Sequence, residues 1–490
     1  MSTFNTTQTV AFKMALLVNL GVSHRILGMA AGKRRNSPIF QVFLVPFAKL
    51  AVVISDFREA QDILMRRKEF DRSDWTIDNL NGETPQFHIN LKTGPEWKGR
   101  RRLLQNLMTS AFLSSVAAPN IYTSAANFED MWKTKARLAG DRAFSADQDF
   151  YHAALDAVLD FRFGDSHPHR ALKPQAELLT GQETQSVPAI SATADPVEFP
   201  TAQPHEPIKA ILAAGDLIQY ITRSGLVKLA WWWTKLQPRE KKLMDQRAQF
   251  VKEQTYHAIE KLQKDTDEDS EFWVMCAVDL IIHRERKFAK KKGREPIFWS
   301  SVMKDELRQD LRAAHASALA ENRAPSHSEE VLRLAHTAPV MDRHPRSPHI
   351  PAGTIVLMPN IGPSYTSLSF EIDEAVRSET SKQAAKERGI RSWPADDINV
   401  YRPEWWLFTD EVAGGERYEA TSGLAIPSGL GTRDCFGRKL ANLELTLFVT
   451  LIIWNFELQP CAKETSTYEP LEGIKFRPKH CYVRLGDVAI

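Results

Sequence analysis

The sequence predicts a helix-rich chain with a few short strands, on two observations. Apolar residues recur at helical spacing through residues 57–67, 150–164 and 207–264. Strand-like runs are confined to residues 40–55, 349–358 and 456–485. No internal repeat is present.

Composition bounds the class. The 490 residues are 43% hydrophobic and 25% charged, which suits a large buried core and excludes wholesale disorder. A net charge of +2 gives no global argument for nucleic acid. Four cysteines in so long a chain, Cys276, Cys435, Cys461 and Cys481, argue against a disulfide framework and for a reducing compartment. None belongs to a CxxC pair or a Cys/His cluster, so a structural zinc site is not expected. Residues 1–36 read as an N-terminal segment, and 37–490 as a single domain. Residues 10–31 are mostly apolar but are interrupted by Lys13, Asn19, His24 and Arg25. A spanning helix needs about 20 predominantly apolar residues. Two readings stay open: an amphipathic, partly buried segment, or a weak or truncated membrane anchor flanked by Lys33, Arg34 and Arg35.

In chain order, residues 40–55 read as two β runs broken at Pro46, a hairpin signal. Asp56 is placed to cap a helix over 57–67. Pro95 suits the first turn of a helix within 94–112. Trp97 and Arg101 stand four apart on one face, a suitable clamp for a carboxylate; the plainer alternative is a basic surface helix with one core Trp. Residues 180–207, rich in Pro, Thr, Ser, Gln and Ala, read as a long exposed loop. Trp231, Trp232 and Trp233 point in several directions and predict a buried or membrane-facing patch. Residues 283–295 are a charge run, whose usual meaning is a solvated face or loop. Glu330 and Arg333 are spaced to pair on one helix face. Residues 370–392 read as a polar insert and 409–421 as loop.

The most informative stretch is 427–445. It begins as a glycine-rich loop, carries Cys435, and runs into an apolar helix. Gly429 and Gly431 permit backbone angles and close approaches that a side chain blocks. A thiol at the mouth of a helix meets unpaired N–H groups and partial positive charge, which favour the metal-binding thiolate. Arg433 adds a cation two residues earlier.

These features together resemble the cytochrome P450 haem-thiolate monooxygenases. The family's haem loop reads Phe-x-x-Gly-x-Arg-x-Cys-x-Gly, and Gly431, Arg433, Cys435 and Gly437 stand in register with it. Ala441 and Glu444 follow at the usual offsets. The order of Trp97-x-x-x-Arg101, Glu330-x-x-Arg333, a Pro-Ala-Gly-Thr strand and an aromatic-proline stretch matches as well. The resemblance implies an α-rich α+β fold with small β sheets around a buried haem b, iron protoporphyrin IX. It makes Cys435 the axial thiolate of the iron. It gives Arg433, Trp97, Arg101 and His88 to the haem propionates. Glu330 and Arg333, like Gly431 and Gly437, become structural. It further implies O2 and a hydrophobic small molecule as substrates, hydroxylation or epoxidation in secondary metabolism, and no nucleic acid. Electrons from NADPH would come through a reductase docked on Lys98, Arg100, Arg102, Arg438 and Lys439. The implied location is the endoplasmic reticulum membrane, facing the cytosol.

Three departures from the family pattern stand out. Ser428 occupies the place of the usual Phe, and Trp405 that of the Arg that joins the Glu-Arg pair. The long central helix with its Ala/Gly-Gly-x-Asp/Glu-Thr motif has no counterpart. Ala214-Gly215-Asp216 lacks the following hydroxyl residue and reads as ordinary helix. Asp305-Glu306-Leu307 resembles the entry to the central helix, and the residues just beyond resemble material from its far side, so a deletion between about 308 and 328 is inferred. The alternatives to an active monooxygenase are then a degenerate haem-binding protein or misassembled chain, a haem-dependent isomerase or dehydratase, and a helical binding module without haem.

Overall fold

Local caps start and stop the first elements. Asp56 accepts a hydrogen bond from the Glu59 backbone N–H at 3.0 Å, satisfying one orphan donor of helix α1 (Phe57–Arg66), as the sequence predicts. The computed structural model describes residues 37–43, 50–84, 87–164, 167–184, 195–264, 274–296, 350–359, 365, 367–388, 403–409, 415–418, 428–466, 469–471 and 477–487. The hairpin turn at Pro46, the N-terminal segment 1–36, the Glu330/Arg333 pair and the inferred deletion lie outside the described residues.

Ahead of α1, strands β1 (Ile39–Phe43) and β2 (Leu50–Ile54) pair antiparallel, Ile39 opposite Ile54, which bears out the hairpin. After α1 come α2 (Asp74–Asn81), α3 (Pro95–Leu104) with Pro95 in its first turn, and the long α4 (Ala118–Ala139). Strand β3 (Phe144–Ser145) leads into α5 (Asp147–Phe163), α6 (Lys173–Thr184), α7 (Glu206–Ser224), α8 (Val227–Leu236), α9 (Pro238–Lys264) and α10 (Ala277–Lys292). Then follow β4 (Ile355–Leu357), α11 (Glu379–Arg388), β5 (Leu407–Thr409) and β6 (Glu416–Tyr418). Helix α12 (Arg438–Asn455) precedes β7 (Phe456–Gln459), β8 (Pro470–Leu471), β9 (Arg477–Pro478) and β10 (Tyr482–Asp487). This is the helix-rich α+β layout with small sheets that the sequence predicts.

Two local readings are corrected, and a third, the charge run as a solvated face, is borne out on a helix. Residues 180–184 continue α6 rather than opening a loop; fully buried Leu179 ties that turn to the core, and tertiary packing outweighs the loop-like composition. The reading of 409–421 as loop misses β6, whose ladder to β5 runs from Leu407↔Tyr418 to Thr409↔Glu416. The charge run 283–292 is helical. Ile282, His283 and Ala289 of α10 are buried, and Lys290, Lys291 and Lys292 fall in its last turn, where cations suit the helix dipole.

The chain divides into two compact units. One comprises Met1–Asp78, Thr222–Leu226 and Ala314–Cys435; the other comprises Asn79–Ile221, Val227–Ala313 and Phe436–Ile490. In the first, β2 pairs with β1 on one side and runs parallel to β4 on the other, Val52 beside Val356. Side chains alternate across this sheet. Phe40, Ala51 and Val53 pack with Ile355 and Leu357, while Val52 and Ile54 pack with Ile63 of α1. The opposite side of α1 sends Phe57, Ala60 and Leu64 against Met358, Tyr365 and Leu430. Leu430 belongs to the cysteine loop, so this packing holds the loop on α1.

The second unit is built on α4. Ile121, Ala125, Phe128 and Trp132, each no more than 1% exposed, receive Leu440, Phe448 and Ile452 of α12. Buried Lys135 donates to both carboxylate oxygens of Asp149 at 2.7 Å, and Trp132 Nε1 donates to the same group at 3.0 Å. The ammonium also lies 5.5 Å and 5.3 Å from the Phe144 and Phe199 ring centroids, so the buried charge is fully compensated. Strand β10 closes the unit, antiparallel to β7 with Arg484 opposite Gln459 and to β3 with Val483 opposite Phe144. The strand-like reading of 456–485 is borne out.

Candidate functional site

In the first unit the site consists of the loop 428–435. Gly431 has φ +73°, and a Cβ there would lie 2.1 Å from the Leu64 carbonyl oxygen. Only glycine allows the loop to pass so close to the end of α1. Gly429 also has positive φ, +70°. Between them the loop turns back, and the Cys435 N–H donates to the Ser428 carbonyl at 2.7 Å. Ser428 therefore braces the cysteine through its backbone, whatever its side chain. Cys435 is exposed, whereas Cys276 is buried and Cys461 and Cys481 are half-buried. A short 3₁₀ turn, Gly431–Arg433, carries Arg433 beside Asp71, with Nε 3.6 Å from the carboxylate. Arg72 donates to the Arg433 carbonyl at 3.4 Å. The expected propionate ligand Arg433 thus faces an acidic side chain of its own unit.

In the second unit two of the expected residues, Arg101 and His88, meet on the Phe436 ring, and a third, Trp97, lies against Arg101. Arg101 lies 5.5 Å from the Trp97 ring centroid and 5.5 Å from that of Phe436, the residue after Cys435 in the chain. Trp97 is buried, and the shared helix face expected for the Trp97/Arg101 pair is present on α3. Buried His88, in the 3₁₀ turn His88–Asn90, meets Phe436 edge-on at 5.4 Å and Phe87 at 4.4 Å. Gly437 caps α12, whose axis begins at Arg438, three residues beyond the cysteine. Phe436 is the residue that sequence reasoning missed. Its signal was present: an aromatic side chain follows the cysteine within the motif.

Lys98, Arg102, Arg438 and Lys439 are exposed and Arg100 is half-buried. Lys439 Nζ donates to the Met108 carbonyl at 3.3 Å, and Arg100 lies 3.9 Å from Glu96. Glu444, on α12, is shielded from water far enough that its carboxyl is pushed up to about 7. Among the described residues no group of three or more His, Cys, Asp or Glu side chains is placed to hold a metal ion. Among them, too, no helix is long and apolar enough to cross a membrane.

The donor set suits a haem group. One accessible thiol on a glycine-braced loop meets the need for a single soft anionic iron ligand. A guanidinium and an imidazole meeting on one phenyl ring, with an indole against the guanidinium, supply cation and N–H donors for carboxylates.

Comparison with known proteins agrees. The cytochrome P450 family model matches residues 397–484, which include the cysteine loop and α12. The chain is 31% identical to the cytochrome P450 monooxygenase TRI13 of Fusarium sporotrichioides, over 93% of this chain and 88% of that protein. It is 28% identical to the cytochrome P450 monooxygenase xilC of Penicillium rubens, over 92% of this chain and 86% of that protein. The first alignment extends over 522 positions, more than the 490 residues of the whole chain, so the relative carries segments with no counterpart in this chain. With a likeness that spans nearly its full length and includes the cysteine loop, the chain belongs to the cytochrome P450 family, the haem-dependent monooxygenases.

Proposed function

We propose that this chain is a fungal-type haem-thiolate monooxygenase that hydroxylates or epoxidises a hydrophobic small molecule in secondary metabolism, with residues 37–490 acting as one haem domain. The observation that carries the reading is the loop 428–435, in which two positive-φ glycines and one short backbone hydrogen bond present an accessible Cys435. Haem b, held through Cys435, would supply the oxidising power to place one atom of O2 in a C–H or C=C bond while the other leaves as water. The chain's own residues have narrower tasks. Cys435 would hold the iron through its sulfur. Trp97, Arg101 and His88 would orient the group by its propionates, with Phe436 between Arg101 and His88 and Trp97 against Arg101. Arg433 joins them by exchanging Asp71 for a propionate, both being carboxylates. Lys98, Arg100, Arg102, Arg438 and Lys439 form the docking face for a reductase carrying NADPH electrons, where charge aids encounter and orientation. The location that goes with this activity by family resemblance is the endoplasmic reticulum membrane, facing the cytosol. Glu330 and Arg333 keep the structural role that the family resemblance implies. Titrating the metal-free chain with haemin tests the carboxylate role. Arg101→Leu is expected to weaken haemin binding roughly tenfold with an unchanged circular dichroism melt, the loss of one charge-assisted hydrogen bond. Equal affinity in variant and wild type would remove Arg101 from the site.

A second reading has one observation in its favour. The excess of aligned positions over chain length fits a loss of sequence between about 308 and 328, where the central helix of the family would supply its acid and hydroxyl. On this reading the chain binds haem through Cys435 and does not activate oxygen.

A further inference from the structure

The cysteine loop is braced from a second side by the segment that leaves α1, residues 67–73. Arg67 ends the helix in an extended conformation. Phe70 then packs against the cluster of Val52, Ile54 and Ile63, and the Arg67 guanidinium lies 5.7 Å from its ring centroid. That packing fixes where the next two residues, Asp71 and Arg72, meet the loop. The Arg72 guanidinium donates to the Arg433 carbonyl at 3.4 Å, and the Arg72 backbone N–H donates to the Asp71 carboxylate at 2.7 Å. The same Asp71 oxygen lies 3.6 Å from Arg433 Nε. Two features decide how this contact behaves. The Arg433 side chain is 14% exposed and that of Asp71 27%, so the guanidinium is stabilised by an anion beside it more than by water. Yet the separation is well beyond the roughly 2.8 Å of a tight charge-assisted hydrogen bond. The pair is loose on the Arg433 side, and Asp71 keeps its bond from the Arg72 N–H whichever carboxylate Arg433 faces. A carboxylate that reaches Arg433 in hydrogen-bonding geometry therefore displaces Asp71 at small cost.

We infer that Asp71 is a placeholder: a positioning residue that holds Arg433 and the cysteine loop in shape in the haem-free chain, and opposes haem binding by engaging the guanidinium that a propionate requires. The inference rests on the haem reading of the Cys435 loop. It gives Asp71 two effects of opposite sign. Its charge stabilises the haem-free chain, because a half-buried guanidinium is left with a partner. The same charge weakens haem binding, because the propionate must compete for Arg433. A residue that merely supported the fold would move both quantities in the same direction.

The test is titration of the haem-free full chain with haemin, followed by Soret absorbance, in wild type, Asp71→Asn and Asp71→Glu, beside thermal melts of the same chains without haemin. Asp71→Asn is expected to bind haemin roughly fivefold more tightly, and to melt roughly 1–3 °C lower in its absence. Asp71→Glu keeps the carboxylate and should stay near wild type in both measurements. With haemin dimethyl ester, whose propionates carry no charge, the gain of Asp71→Asn should vanish, because nothing then competes with Asp71 for Arg433. Equal or weaker haemin binding by Asp71→Asn, an unchanged melt, or a gain that persists with the ester would overturn the inference and leave Cys435 as the haem ligand untouched. Failure of wild type to bind haemin at all would instead remove the haem reading, and the inference with it.

Discussion

At the scale of single residues, the site was legible where chemistry depends on residue type and hidden where it depends on distant neighbours. Cys435 and Gly431 were readable because a loop that exposes a thiol and passes close to α1 needs a cysteine and a glycine there, whereas Gly437, at φ −82° with open space around it, was readable only through the family resemblance. Phe436 was not singled out, because its role comes from Arg101 and His88, which the chain brings in from more than 300 positions away. The Arg433–Asp71 approach was equally invisible, since nothing local to either residue announces the other. Exposure also sorts the thiols. Burial pushes the Cys276 thiol up to about 12, while Cys435 is exposed. Thiolate is the alkylated form, so iodoacetamide should modify Cys435 in the folded, haem-free chain and leave Cys276 intact. Peptide mass spectrometry checks this, and modification of Cys276 ahead of Cys435 would contradict the described loop.

At the scale of elements, periodicity and caps found most helices and the paired strands. They failed for α6, which is held by a buried leucine rather than by local propensity, and for β6, a three-residue strand too short to show a period, which pairs with the preceding β5. Helix α12 shows how an element can carry a charge cost. Burial raises the folded-state pKa of Glu444 from its ordinary value of 4.5 to about 7. Between those values the folded chain holds a proton that the unfolded chain has released. Its contribution to stability is therefore full below about pH 4.5, falls as pH rises through that window, and is gone above about 7. Urea titrations of wild type and Glu444→Gln across this range should converge at low pH and diverge as pH rises, with the glutamine chain the more stable. Parallel curves would show that the carboxylate is solvated.

At the scale of the whole molecule, the overall class was readable because long helical runs far outnumber the short strands. The division into two units was not, because each is assembled from segments separated in sequence. The relation of the chain to its relatives carries the open functional question, since the first alignment is longer than the chain. Sequencing the transcript across codons 304–330 tests the proposed deletion. The expected result is a message that runs directly from Asp305-Glu306-Leu307 into Arg308-Gln309-Asp310 and on to Glu330 without interruption. An additional in-frame segment reading Ala-Gly-x-Asp-Thr would overturn it and restore the full catalytic apparatus. That Cys435 is the thiolate ligand of a haem is tested most directly by the spectrum of the reduced holoprotein under carbon monoxide. The expected result is the red-shifted Soret band of a thiolate–CO haem in wild type and its loss in Cys435→Ser. A band at the position of imidazole-ligated haem in wild type, or one that survives Cys435→Ser, would contradict it.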